Sequence, residues 1–142
     1  MERKTNWLAI IVAVAVSMAL GFLWYGALFN QQWMAGNGIT MEGEKMFKNG
    51  VEIPMSATPM IVNTVVMAVY ALILNWLLGR IGASTWMEGA QVGAAIGLIM
   101  VLGVLVGNMF AVNPSSLTLV DGSYSFVLFV LQGAIIGGWQ KK

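Results

Sequence analysis

No cysteine and no histidine occurs in this 142-residue sequence. The first absence excludes disulfides, thiolate metal sites and cysteine nucleophiles. The second removes the commonest metal ligand and the side chain most used for proton transfer near neutral pH. Charge is scarce too: 9% of residues are Asp, Glu, Lys or Arg, against about 25% in soluble domains. A formal net charge of +1 gives no electrostatic case for a nucleic acid partner. What is present is apolar, with 58% hydrophobic residues and a mean hydropathy of +0.79. A water-facing globule does not fit that composition, and the length suits a single domain.

Crossing a hydrocarbon core about 30 Å thick takes about 20 apolar residues in a helix. Four runs meet this: residues 7–29, 59–78, 89–112 and 117–139. All four are expected to be transmembrane helices, because isolated strands leave their backbone groups unpaired in lipid. The expected fold is therefore an all-α integral membrane protein, a four-helix bundle in one domain over 1–142. The first run follows Arg3-Lys4 but is longer than a cleavable h-region, and it reads as a retained anchor. Start signals flank the runs. Thr5 or Asn6 can open the first. Thr58 precedes Pro59 as a capping hydroxyl, and Thr85 to Glu88 reads as a capping box. Asp121 can cap the last helix, with Leu117 to Val120 as an extended or helical lead-in.

Orientation follows from the basic residues. With four spans, Arg3, Lys4, Arg80, Lys141 and Lys142 share one side, and Lys45 and Lys48 lie on the other. Both termini are expected in the cytoplasm. The sizeable outer segment, 30–58, carries Asn49-Gly50 between short alternating runs, a type I′ hairpin signal. A lone hairpin is marginal in water, so it is expected to pack on helix ends or on another subunit.

Helices in lipid associate through small residues and interhelical hydrogen bonds. Small residues recur at four-residue steps in three runs: Ala9, Ala13, Ser17 and Gly21; Gly89, Gly93 and Gly97, then Gly103 and Gly107; and Gly133 and Gly137, with Gly138 beside them. These are the expected packing stripes. The Gly103-Gly107 face reads equally as an internal contact or as one between subunits of a homo-oligomer. Polar residues within the spans are few. Asn63, Asn75, Asn108 and Gln132, with Gln91, either line a polar path or simply bridge helices. No ionisable residue lies deep in a span, which disfavours proton coupling.

The stretch GFLWYGALFNQQWMAGNG, Gly21 to Gly38, crowds Trp24, Tyr25 and Trp33 where the first helix leaves the bilayer. Such rings prefer the interface. They also form a candidate binding site at the outer mouth, with Asp121 and Tyr124 as a possible pair. Residue order adds a resemblance. NWLAI (Asn6 to Ile10), WYGALFNQQWM (Trp24 to Met34) and LTLVDGSYSFVLFVLQGAIIGGW (Leu117 to Trp139) resemble a family of small bacterial four-span proteins, domain of unknown function family 1761. Asn30 stands where members have glycine after phenylalanine. Ser123 and Ser125 stand where members have glycine and histidine, so no histidine role carries to this chain. The resemblance implies residence in a bacterial membrane and supplies no activity; with both termini cytoplasmic, the inner membrane is expected.

Three function classes remain. The expected one is a homo-oligomeric channel- or transporter-like protein for an ion or small solute of unknown identity, with Trp24, Tyr25, Trp33, Asn63, Asn75, Asn108, Asp121, Tyr124 and Gln132 as binding or pore candidates. The second is a scaffold that binds a membrane partner. The third, an enzyme, finds no nucleophile–base spacing among Asp121, Glu42, Glu44, Glu52, Tyr25 and Tyr124. No catalytic residue, metal ligand or cofactor is expected.

Overall fold

Each long apolar run becomes a helix because only a helix pairs every backbone N–H within one segment in lipid. The computed structural model describes residues 4–140. Arg3, Lys141 and Lys142, which enter the orientation argument, lie outside the described residues. Helix α1 spans Trp7–Gly21 and runs on without a break into a π-helical stretch, Phe22–Leu28. A short helix α2 covers Asn30–Gly36. Three strands follow: β1 (Ile39–Glu42), β2 (Lys45–Lys48) and β3 (Val51–Ile53). The chain then forms α3 (Thr58–Ile81), α4 (Trp86–Phe110) and α5 (Ser115–Gly138). Among the described residues, four helical segments are long and apolar enough to cross a membrane: Trp7–Leu28, Thr58–Ile81, Trp86–Phe110 and Ser115–Gly138. The protein is an all-α, multi-pass membrane protein with a small antiparallel sheet at one end of the bundle.

Helix α5 is the hub. It runs along α4 and also touches α1, α2 and α3, whereas α3 and α4 barely meet. The α4–α5 seam is built on glycine. A Cβ on Gly89 would collide with the Gly133 carbonyl oxygen, and one on Gly93 with that of Phe129. Gly97 faces the Phe126 backbone, Gly137 the Thr85 carbonyl and Gly138 the Trp86 side chain. The helix axes approach this closely because no side chain separates them. Gly103 and Gly107 differ: nothing lies within 4 Å of a Cβ at either. They continue the stripe but not the seam. On α1, Ala9, Ala13 and Ser17 are buried, and Gly21 faces the Tyr124 hydroxyl.

Several ends behave as the residues dictate. Asn6 caps α1, its Oδ1 accepting from the Ala9 N–H at 3.4 Å. Its Nδ2 reaches the Trp139 carbonyl at 2.7 Å, tying the first helix to the end of the last. The Thr85–Glu88 capping box is present in both directions. Gly82, at φ 73, ends α3 in the left-handed conformation.

Two starts differ from expectation. Thr58 is the first helical residue of α3 rather than its cap. The Ser56 hydroxyl, two residues earlier, accepts the Thr58 N–H at 3.1 Å. Asp121 is not a cap. Pro114, extended at ψ 147, sits at the N-cap of α5, so Asp121 lies nearly two turns inside that helix.

The hairpin forms with Lys48 paired to Val51 across Asn49-Gly50. Both turn residues have positive φ, 50 and 81, as a type I′ turn requires. It is part of a larger sheet: β1 adds antiparallel to β2, pairing Ile39 with Lys48 and Glu42 with Lys45. No helix of the bundle packs broadly on this sheet. Among the described residues the sheet meets the bundle through α2, which touches both β1 and α5, and the Gly38 carbonyl accepts the Asn49 N–H at 2.8 Å.

Candidate functional site

The site is made where α1 changes pitch. In the wide π turn the Phe29 N–H reaches back five residues to the Trp24 carbonyl at 2.9 Å. The Asn30 side chain donates to the Tyr25 carbonyl at 2.9 Å, covering an oxygen that the wider turn exposes. Rare π turns recur at functional sites because they reorient side chains within an otherwise regular helix. Here two consecutive aromatic residues reach α5. The Trp24 indole donates to the Val120 carbonyl at 3.1 Å. The Tyr25 hydroxyl donates to Asp121 Oδ1 at 2.8 Å. The Tyr25 ring stands edge-on to Tyr124, with centroids 4.9 Å apart, and to Trp33 at 5.8 Å. Phe29 leans on Trp24 at 5.1 Å.

Beside this cluster lies a cleft of about 590 Å³. The π stretch forms one wall through Phe22, Tyr25 and Gly26, the start of α3 another through Pro59, Met60 and Asn63, and Tyr124 closes the back. Asn63 Nδ2 donates to the Met18 sulfur at 3.4 Å, linking the first and second spans at the cleft floor. Below it, Leu20, Met67 and Leu128 form a buried apolar layer. Beneath that layer Gln132 is fully buried. Its Nε2 donates to Ser17 Oγ at 2.8 Å and to the Met67 carbonyl at 3.3 Å. Ser17 in turn donates to the Ala13 carbonyl at 2.6 Å. Gln132 Oε1 is buried with no hydrogen-bond partner.

The structure thus joins Trp24, Tyr25, Trp33, Asp121 and Tyr124 in one cluster, with Asn63 across the cleft. It separates the other polar candidates. Gln132 ties α1, α3 and α5 together. Asn75 Nδ2 reaches Thr5 Oγ1 at 3.4 Å near the chain's start. Asn108 Nδ2 donates to Thr118 Oγ1 at 3.0 Å and its Oδ1 accepts from Asn113, bridging α4 to α5. Gln91 lines a smaller hollow of about 360 Å³ with Glu88 and Gly82. Sequence reasoning did not place Met18, Phe22, Gly26, Pro59 or Met60 in a binding site; they complete the cleft. Among the described residues no cluster of acidic side chains could hold a metal ion.

The family model described as "Protein of unknown function (DUF1761)" matches residues 8–137, which includes every residue of the cleft and of the aromatic cluster. The chain belongs to that family. Searches of curated proteins and of solved structures found no match. The matched range spans all four membrane helices, so the family is defined on the bundle itself.

Proposed function

We propose that this protein is a homo-oligomeric protein of the bacterial inner membrane, with both termini cytoplasmic, that binds a small solute in the lateral cleft and carries it across by a channel- or transporter-like route. The observation that carries the reading is the cleft. Its volume falls within the range of small-molecule sites, and a π turn and a Tyr–Asp hydrogen bond build its wall. The apolar layer of Leu20, Met67 and Leu128 stops a straight path within one protomer. Passage therefore requires helix movement or a route between subunits, and the smooth, open Gly103-Gly107 face of α4 suits contact between copies. The reading is non-catalytic and needs no cofactor. Reconstitution into liposomes with a panel of ions and small organic solutes tests it. Flux above empty vesicles is expected, and Gly26→Phe, which fills the cleft, is expected to abolish it. A flat response across the panel would count against transport.

The orientation is tested in the same membrane. The chain has no cysteine of its own, so single-cysteine variants report cleanly. Glu44→Cys is expected to react with an impermeant maleimide in intact cells, and Ser84→Cys is expected to stay unlabelled. The reverse pattern would invert the topology.

A second reading, a scaffold that binds a membrane partner, draws on the three-stranded sheet, which no helix covers broadly. Cross-linking in membranes followed by gentle solubilisation separates the two. Recovery of the chain with copies of itself alone argues against a scaffold.

A further inference from the structure

We infer that the ligand of the cleft is a hydrophobic organic cation: an ammonium or phosphonium centre carried on apolar substituents. The inference rests on the cleft being the ligand site, and it specifies the chemistry that site selects.

The lining gives the first argument. Phe22, Met18 and Met60 are apolar and polarisable, and Tyr25 and Tyr124 add two rings set at 62° to one another. Crossed rings give a cation both a ring face to approach and a packed wall behind it, and the attraction grows when water is excluded. The second argument is charge. No lysine or arginine lines the cleft. Directly behind Tyr25 stands the Asp121 carboxyl, whose Oδ1 accepts the hydrogen bond of the tyrosine hydroxyl at 2.8 Å. With its hydrogen directed at Asp121, the Tyr25 oxygen has lone pairs to offer but no proton. The cleft is lined mainly by rings and apolar side chains; its polar groups, the hydroxyls of Tyr25 and Tyr124 and the Asn63 amide, are neutral, so the nearest charge-bearing group is the Asp121 carboxyl behind Tyr25.

The start of α3 is the one feature that would favour an anion, since helix N-termini present free amides. Here that turn is largely disarmed. The Thr58 N–H is taken by Ser56 Oγ at 3.1 Å, Pro59 has no N–H, and the Ile61 N–H bonds the Ala57 carbonyl at 3.1 Å. The Asn63 amide points at the Met18 sulfur. A phosphate or carboxylate would meet few donors and no positive charge. A sugar would meet too few polar groups for its hydroxyls. A lipophilic cation instead partitions into the bilayer and reaches the cleft past Phe22 and Met60, which are 60% and 42% exposed.

The test uses the purified full chain in mild detergent, read by calorimetry and by tryptophan fluorescence. The probes are tetraphenylphosphonium and tetraphenylborate, which share a shape and differ in the sign of charge. Tetraphenylphosphonium is expected to bind at least about tenfold tighter. Gly26→Phe is expected to abolish that binding, because a side chain there meets open space and occupies the cleft. Ile11→Val, on the exposed face of α1 and outside the cleft lining, is the control expected to change nothing. Asp121→Asn is expected to erase the preference for the cation, and Tyr25→Phe stands in should the Asp121 variant fail to fold. Equal or stronger binding of tetraphenylborate, lost in Gly26→Phe, would overturn the cation assignment and leave the cleft as a ligand site. Binding of neither probe would overturn the cation assignment, whereas binding indifferent to Gly26→Phe, or a lipid acyl chain recovered from the cleft by mass spectrometry, would overturn the cleft as a solute site as well.

Discussion

Gly93 of α4 lies directly against the main chain of Phe129 in α5, so close that a methyl group at Gly93 would run into the Phe129 carbonyl oxygen. Backbone atoms cannot swing aside as side chains can, so the helices themselves would have to part. Gly93→Ala is therefore expected to destabilise the bundle by about 1–3 kcal/mol, the usual range for overpacking. Gly103→Ala and Gly107→Ala are expected to change stability little, since both positions are open. Denaturation in mixed micelles measures all three. Equal losses at Gly93 and Gly103 would mean that the seam runs past Gly97 or that Gly103 packs against a second copy, and dilution of the micelles separates the two.

Gln132 shows the opposite economy. It links three helices, yet its Oε1 is buried without a donor. An interhelical hydrogen bond in a membrane contributes about 0.6 kcal/mol on average, while an unsatisfied buried acceptor costs about 1–3 kcal/mol. The cost wins. Gln132→Leu, similar in size, is expected to leave stability unchanged or to raise it. Ser17→Ala is expected to lower it, because Nε2 then keeps only the long contact to Met67. A large loss in Gln132→Leu would show that Oε1 finds a partner in the membrane, such as an ordered water.

The four spans were legible because hydropathy over about 20 residues leaves few alternatives. The Thr85–Glu88 box and the Asn49-Gly50 turn were legible for another reason: each is set by residues within a few positions. What sequence could not supply was long-range. Trp24 and Tyr25 reach α5 across 96 positions, and nothing local distinguishes an indole that bonds a distant carbonyl from one that floats in an interfacial belt. The π turn that aims them has no distinctive composition. Asp121 reads as a cap in the sequence because a carboxylate near the polar edge of an apolar run looks like a helix start. Pro114 in fact ends the turn, and Ser115 opens the helix. Strand β1 escapes a sequence reading because its alternation of Ile39 and Met41 with Thr40 and Glu42 lasts only four residues, too short to stand out from the polar loop around it.

The sheet offers a clean separation of local from global stability. Gly50 sits at φ 81, where a side chain costs about 1–2 kcal/mol. Gly50→Val is expected to loosen the β2–β3 pairing without moving the denaturation midpoint of the helices, since no helix packs broadly on the strands. Hydrogen exchange resolves the two: faster exchange at the strand amides and unchanged protection in α5. A drop in the helical midpoint would reveal contacts between sheet and bundle.

The Tyr25–Asp121 hydrogen bond holds the π stretch of the first span to the last span, and its strength can be isolated. Tyr25→Phe removes the donor and keeps the ring contacts to Tyr124 and Trp33. Asp121→Asn keeps the shape of the acceptor and removes its capacity to carry charge. If the 2.8 Å contact is the main link, the double variant should be no worse than the more damaging single one. The coupling energy should then be about 1.5–3 kcal/mol, as for hydrogen bonds to charge-bearing groups. The second readout is Trp24, whose indole bonds the neighbouring Val120 carbonyl at 3.1 Å; its fluorescence should shift in each single variant as the helices separate. Additive losses, with tryptophan emission unmoved, would mean that Tyr25 acts through its ring alone and that Trp24 fixes the geometry without it.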